Sequence, residues 1–329
     1  MHRHISAGTL FSLLRSLALL LTIFTAGATS AQDPSSRPLR IIVPYGAGTG
    51  VDITARILAP QLSSRLKQPV LVENRDGAGA TIGVSALKRS TPDGATIGII
   101  VSANTAQPWL MKDMPFDVRK DFMPIVMIYT APLVMVVPQA FPAGSLAEFV
   151  TYAKANPGKV FFGSVGAGTT THLAAELLKQ VAGLELVHVP YKGSGEMHAA
   201  VAAGNLQLAF DNYISPKPLI DAGRLRLLGT TSPQRMAVLP QVPAIAETYA
   251  GFELALWTGF AAPLGTPRPV FDKLNTEIRG ALQSPEFSKR LADIGSESNF
   301  MSPADFTRRI AADYDKFGRV IQAAGIKPE

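Results

Sequence analysis

The sequence predicts an α/β fold of two domains built on mostly parallel sheets. Three observations predict it. Short apolar strand patterns alternate with helical patterns along most of the 329 residues, as crossover helices between parallel strands require. The length has room for two domains of ordinary size. Hydrophobic residues make up 47%, and the 28 glycines and 25 prolines punctuate many short elements instead of forming a low-complexity block. No repeat of fixed period is expected.

Residues 1–31 differ in kind from the rest. Arg3 and Arg15 precede an apolar run, 17–28, that closes in Ala28-Thr29-Ser30-Ala31. That is the pattern of a secretory signal cut between Ala31 and Gln32, and the run is too short to span a bilayer stably. The chain has no cysteine, so it has no lipid attachment point at the cut and no disulfides. Two of the 31 basic residues and no acid lie in the signal, which leaves 29 against 25, a net charge of +4. The charge is dispersed and no basic stripe alternates with aromatics, which argues against nucleic acid.

Residues 39–43 form the first strand, and the glycine-rich turn 44–51, PYGAGTGV, follows. Asp52 is expected to cap a helix with Ile53 and Ile57 inward and a kink or early end at Pro60. Residues 70–73 and 96–101 are strands, and Pro92-Asp93-Gly94 is a tight turn. Residues 132–138 are another strand. Ser145 and Glu148 form a capping box for a helix to about Ala155.

The stretch 160–180 echoes the first turn. Val160, Phe161 and Phe162 suit a buried strand, and Gly163, Gly166 and Gly168 let the chain turn sharply. Thr169, Thr170 and Thr171 can cap a helix whose inner face is Leu173, Leu177 and Val181. Strands at 186–189, 206–210 and 225–229 follow, and 253–262 is extended. Ser284-Pro285 and Ser302-Pro303 start the C-terminal helices. The last helix turns Phe306, Ile310, Phe317, Val320 and Ile321 inward.

In such sheets ligands sit at the carboxyl ends of strands. Polar clusters fall there repeatedly. The candidate site residues are Tyr45, Ala47, Gly48, Thr49 and Asp52 in the first unit, Ser102 and Asn104 after the third strand, Ser164, Gly168, Thr169, Thr170 and His172 in the second turn, then Tyr191 and Asp211. The first amides of a helix have no partner within it, and its dipole makes that end weakly positive. Two glycine turns that present bare amides and hydroxyls therefore suggest two halves of one anion-binding cleft.

Known motifs fail on these residues. A dinucleotide fingerprint would need glycine at Val51 or Thr171, and Lys192-Gly193-Ser194 inverts the phosphate-loop order. A nucleophile elbow would need glycine where Phe162 precedes Ser164. His172, His188 and His198 have no metal-ligand spacing, and no cofactor is expected.

The chain resembles the Bug family of extracytoplasmic solute receptors, the binding proteins of tripartite tricarboxylate transporters. The residues that carry the resemblance run through the mature chain. They are Ile42-Val43-Pro44-Tyr45 with Gly48 and Asp52, then Glu73-Asn74-Arg75, Lys120-Asp121-Phe122 and Gly163-Ser164-Val165-Gly166-Ala167-Gly168-Thr169 with His172. Val189-Pro190-Tyr191-Lys192-Gly193, Phe210-Asp211-Asn212, Leu239-Pro240-Gln241-Val242-Pro243 and Ala262-Pro263-Leu264-Gly265-Thr266-Pro267 continue it. The chain departs from the family pattern at Thr49, Asp76 and Ala80.

The resemblance implies a type II periplasmic-binding-protein fold with a ligand cleft between domains. Domain 1 would be 37–138 plus 255–329, and domain 2 would be 139–254. Both turns would hold a carboxylate, and Asp211 would face the cleft. The expected function is a periplasmic, non-catalytic, monomeric receptor for a small carboxylate, with transient contacts to membrane transporter subunits. The ligand stays open among dicarboxylates, tricarboxylates, aromatic carboxylates and acidic amino acids. The alternatives are a secreted hydrolase using Ser164 and His172, and a receptor that presents its bound state to a sensor.

Overall fold

The computed structural model describes residues 37–328 apart from 294, 295 and 299. The expected signal segment, 1–31, lies outside the described residues. Among those described, no helix is long and apolar enough to cross a membrane.

From Pro38 onward the chain forms one compact unit around a mixed sheet. The first three strands, β1 (Leu39–Val43), β2 (Val70–Asn74) and β3 (Thr96–Val101), pair in parallel in the order 2-1-3. Helices α1 (Gly50–Leu66) and α2 (Thr81–Lys88) cross between them. The later strands β5 (Val160–Ser164), β6 (Leu186–Pro190) and β7 (Leu208–Asn212) repeat this plan in the order 6-5-7. Their crossovers are α5 (Thr170–Ala182) and α6 (Ser194–Ala202). The echo seen in the two turns is thus one part of a duplicated β-α-β-α-β unit. Sequence periodicity misses it because the connections differ in length.

The two units are joined by antiparallel strands. The long β4 (Phe122–Pro138) pairs with β9 (Ala255–Pro263) up to Pro132, then with β7 and with β8 (Leu225–Thr230) from Leu133 on. A short β10 (Glu297–Ser298) adds to β4. The sequence reading found only the second half of β4. Pro124 and Pro132 argue against a central strand, but a register shift follows Pro124, and Pro132 sits at the last pair with β9, where β4 changes partners.

Thr231 ties Leu133, where β4 changes partners, to Leu254, just ahead of β9. Its hydroxyl accepts from Leu133 N at 2.8 Å and donates to Leu254 O. Its backbone also bonds both residues, at 2.9 and 3.0 Å.

Four buried clusters fill the two faces of the two half-sheets. Expectations about single helices meet their tests here. α1 runs unbroken through Pro60, which is exposed and leaves no buried group unpaired by its missing N–H. Its cap is Thr49, with Asp52 three positions on. The helices α3 (Ala103–Ala106), α4 (Leu146–Ala155), α7 (Lys217–Asp221), α8 (Arg268–Leu282) and α9 (Pro285–Asp293) complete the layers. The last helix, α10 (Pro303–Ala323), does not return to the first half alone. Phe306 and Ile310 pack with β3 and β9, while Phe317, Val320 and Ile321 join the core around β5 and α5.

Candidate functional site

The two glycine turns share one geometry. In the first, Thr49 Oγ1 donates to Gly46 O at 2.9 Å and accepts from Asp52 N at 3.4 Å. In the second, Thr169 Oγ1 donates to Gly166 O at 2.7 Å and accepts from His172 N at 3.5 Å. Gly48 and Gly168 take φ of +84° and +71°, where a side chain is strained. A Cβ on Gly168 would also lie 2.4 Å from Leu110 Cδ1.

These two amides are not bare, contrary to the expectation. Gly48 N donates to Asp52 Oδ2 at 2.8 Å, and Gly168 N donates to His172 Nδ1 at 2.9 Å. Asp52 and His172 thus hold equivalent places, each closing its turn with an acceptor four residues on. The amides left without a helical partner are two and three residues further along. They are Gly50 and Val51 in α1, and Thr170 and Thr171 in α5.

Asp52 is buried and also accepts from Asn74 Nδ2 at 2.8 Å and Arg56 Nε at 3.0 Å. Burial works to raise its pKa, but the bonds from Arg56, the Gly48 amide and Asn74 outweigh burial and hold the carboxyl below its usual range. Ala47 and Gly48 are exposed.

The second turn rests on stacked histidines. Ser164 is buried, and its Oγ lies 2.6 Å from His188 Nε2 and 2.9 Å from Gly166 O. The hydrolase alternative paired Ser164 with His172, but the hydroxyl meets His188 instead. His172 stacks on His188 at 3.8 Å and places Nε2 3.6 Å from Glu176 Oε1. Because Nδ1 accepts from Gly168, the His172 proton is assigned to Nε2. Burial, helped by His172, pushes the His188 pKa down to about 4. A hydroxyl wholly buried in its own turn is poorly placed to attack a substrate.

Asn104 and Asp211 are used internally. Asn104 Oδ1 accepts from Val101 N at 2.9 Å, and its Nδ2 donates to Gln107 at 3.0 Å. Asp211 lies within β7, not after it, and is buried. Its Oδ1 accepts from the Asn212 backbone, and its Oδ2 lies 3.4 Å from His198 Nε2. Tyr191 N donates to Ser164 O at 2.8 Å, so Tyr191 braces the second turn. Thr170 is half-buried, and its hydroxyl has no hydrogen-bond partner among the described residues.

A cleft of about 450 Å³ lies between the first turn and the crossing strands. Of the candidates, Tyr45, Thr49 and Ser102 line it; Ala47, Gly48, Asp52, Asn104, Tyr191, Asp211 and the second-turn residues do not. The other walls come from Gly50, Val51, Val101 and Ala103, from Tyr129 and Ala131 of β4, from Asn212 and Ile214, from Leu256, Trp257 and Thr258 of β9, and from Ser296. Burial pushes the Tyr45 phenol up to about 12, helped by Tyr129 and Asp76, so it stays a neutral donor. The sequence reading missed the β4 and β9 walls because it looked only at the ends of parallel strands. The continuous apolar run around 125–129 was the available signal.

The description "Tripartite tricarboxylate transporter family receptor" fits residues 54–326. Protein BugT of Bordetella pertussis is 33% identical over 322 residues, covering 95% of this chain and 98% of BugT. An R. palustris protein solved with adipate is 34% identical with a TM-score of 0.74, covering 90% of this chain and all of that one, 100%. MatC from Rhodopseudomonas palustris, solved with bound malate, is 25% identical with a TM-score of 0.69, covering 87% and 99%.

Proposed function

The chain belongs to the tripartite tricarboxylate transporter receptor family, and from that premise we propose that it captures a small carboxylate outside the cytoplasm and delivers it to membrane transporter subunits. One observation carries the carboxylate reading. The cleft is lined by the free amides at the start of α1 and by the buried hydroxyls of Ser102 and Thr258, which have no hydrogen-bond partner among the described residues. An anion there meets neutral donors and the positive end of a 17-residue helix. The structures with adipate and malate support the same ligand class.

The proposed domains are 37–138 with 255–329, and 139–254. The change of β4 partner after Pro132 supports a first crossing slightly earlier, and α10 belongs to both. Of the candidate residues, Tyr45, Thr49 and Ser102 would touch ligand directly. Thr170 would reach it only when the domains close. The receptor works without turnover, is exported by its signal, and starts at Gln32 when mature.

Calorimetry with adipate, malate and their diamides tests the reading. Binding of an acid with loss of at least tenfold in its amide is expected. Equal affinity for acid and amide, or no binding by any carboxylate, overturns it. An ester panel hydrolysed by the wild type but not by Ser164→Ala would return the hydrolase.

A further inference from the structure

The cleft offers one place for a negative charge and a large apolar remainder. Nine of the fifteen lining residues are aliphatic or aromatic, and none of the described lining residues is Lys, Arg, His, Asp or Glu. The arginines flanking the first turn in sequence are committed elsewhere. Arg56 donates to Asp52 and to Asn74 at 2.9 Å, and Arg75 pairs with Glu73 at 2.6 Å. The second turn, the other candidate anion site, does not line the cleft.

Ser102 and Thr258 are 1% and 4% exposed, and their hydroxyls open on the cleft without a hydrogen-bond partner among the described residues. With the amides of Gly50 and Val51 and the Tyr45 phenol they make one set of neutral donors. The rest of the wall is mainly apolar, led by Tyr129, Ala131, Ile214, Leu256 and Trp257; of its polar members Thr49 is bonded to Gly46 and Asn212 to Asp211 and Ser215, and Ser296 is the third.

We propose that this receptor selects a monocarboxylate with an apolar, ring-sized body over the dicarboxylates and tricarboxylates. The inference rests on the carboxylate reading above and narrows it. One carboxylate sits on the α1 donors, and the body lies against the aromatic and aliphatic wall. An apolar cavity of about 150 Å³ already takes up benzene, so 450 Å³ holds a substituted ring with its carboxylate. A second carboxylate would leave water for a mainly apolar wall that offers neither a cation nor the start of a second long helix, and burying an unpaired charge is unfavourable.

Isothermal calorimetry at neutral pH with benzoate, phenylacetate, adipate, malate, citrate and glutamate tests the selection. Benzoate or phenylacetate binding at least tenfold tighter than adipate, malate, citrate and glutamate is expected. That factor corresponds to about 1.4 kcal/mol. If adipate, malate, citrate or glutamate binds tightest, the selection is wrong and the carboxylate receptor stands. If none of the six binds, the carboxylate reading itself falls. Ile214 is 39% exposed in a turn after β7, so Ile214→Lys is tolerated by the fold and brings a cation to the apolar wall. It should weaken benzoate and strengthen adipate, each at least threefold. An unchanged ratio of the two would show that this wall does not select.

Discussion

Replacing Asp52 by alanine tests whether the first turn is held from within. Three groups lose their acceptor: Gly48 N, Asn74 Nδ2 and Arg56 Nε. A hydrogen bond to a charged group is worth about 1.5–3 kcal/mol, so a plain sum gives about 5–9 kcal/mol. Exposure cuts this figure. The Arg56 side chain is 50% exposed and returns to water, so its pair counts as a surface one of about 0–1 kcal/mol. Gly48 is exposed, and water replaces the carboxylate on its amide. Asn74 Nδ2 keeps Tyr45 O at 2.9 Å. What remains is part of one charged bond plus the loss of an acid from the first turn of α1, the latter about 0.3–1 kcal/mol. The expected loss is about 2–3 kcal/mol, a fall in Tm of roughly 4–12 °C for a chain of this size. Urea unfolding with an unchanged slope is the assay. A loss below about 0.5 kcal/mol would mean the carboxylate is idle. A loss above about 5 kcal/mol would mean that water does not replace it, and either result refutes the reasoning.

Three further outcomes are expected. Thr231→Val leaves Leu133 N and Leu254 O short of a partner and should cost about 1–3 kcal/mol in denaturant unfolding; a neutral result would mean the clasp between these two residues contributes nothing. Gly83→Ala places a Cβ 2.6 Å from Pro44 Cα and 2.7 Å from Arg75 O, both backbone, so it should cost about 1–3 kcal/mol and weaken ligand binding by moving the first turn; wild-type stability would contradict the close approach. The depressed pKa of His188 gives an acid sensitivity. Between pH 6.5 and 4 the unfolded chain takes up a proton that the folded ring refuses, so stability falls as pH drops through that window and is fully present above it. The ceiling is about 3 kcal/mol, reduced because the ring is partly exposed to solvent. Burial also holds His198 below its ordinary value, which adds to the acid sensitivity, so His188→Gln should flatten only part of the slope from pH 4 to 6.5. A slope identical to that of the wild type would reject the assignment.

Much of this was legible in the sequence, and the reasons differ by element. The turns were legible because glycine and threonine at fixed places dictate a cap and a left-handed residue, whatever lies around them. Their wiring was not. Nothing local says that the side chain at 52 or 172 folds back onto its own turn, since that depends on the helix having formed. The first half of β4 was hidden by prolines, one beside a register shift and one where the strand changes partners. With it went Tyr129 and Ala131, two walls of the cleft. The fate of Asp211 turned on a strand end placed two residues too early, which put a buried partner of His198 in the solvent-facing loop.

The C-terminal helix carries a mechanical consequence. α10 has 21 residues and is about 30 Å long. Its first turns are sealed into one core and its last turns into another. Trp109 Nε1 grips its middle at Tyr314 O, 3.0 Å away, and Arg309 and Lys316 reach from it to Glu253 beside the second crossing. Two bodies joined only by flexible strands can swing freely. The two proposed domains share a rod, so movement between them would load it in torsion, and a hinge would become a spring with a resting position. Loosening one seat of the rod, as Phe317→Ala would, should then leave a receptor that opens wider and holds ligand more weakly, even with every residue of the cleft in place.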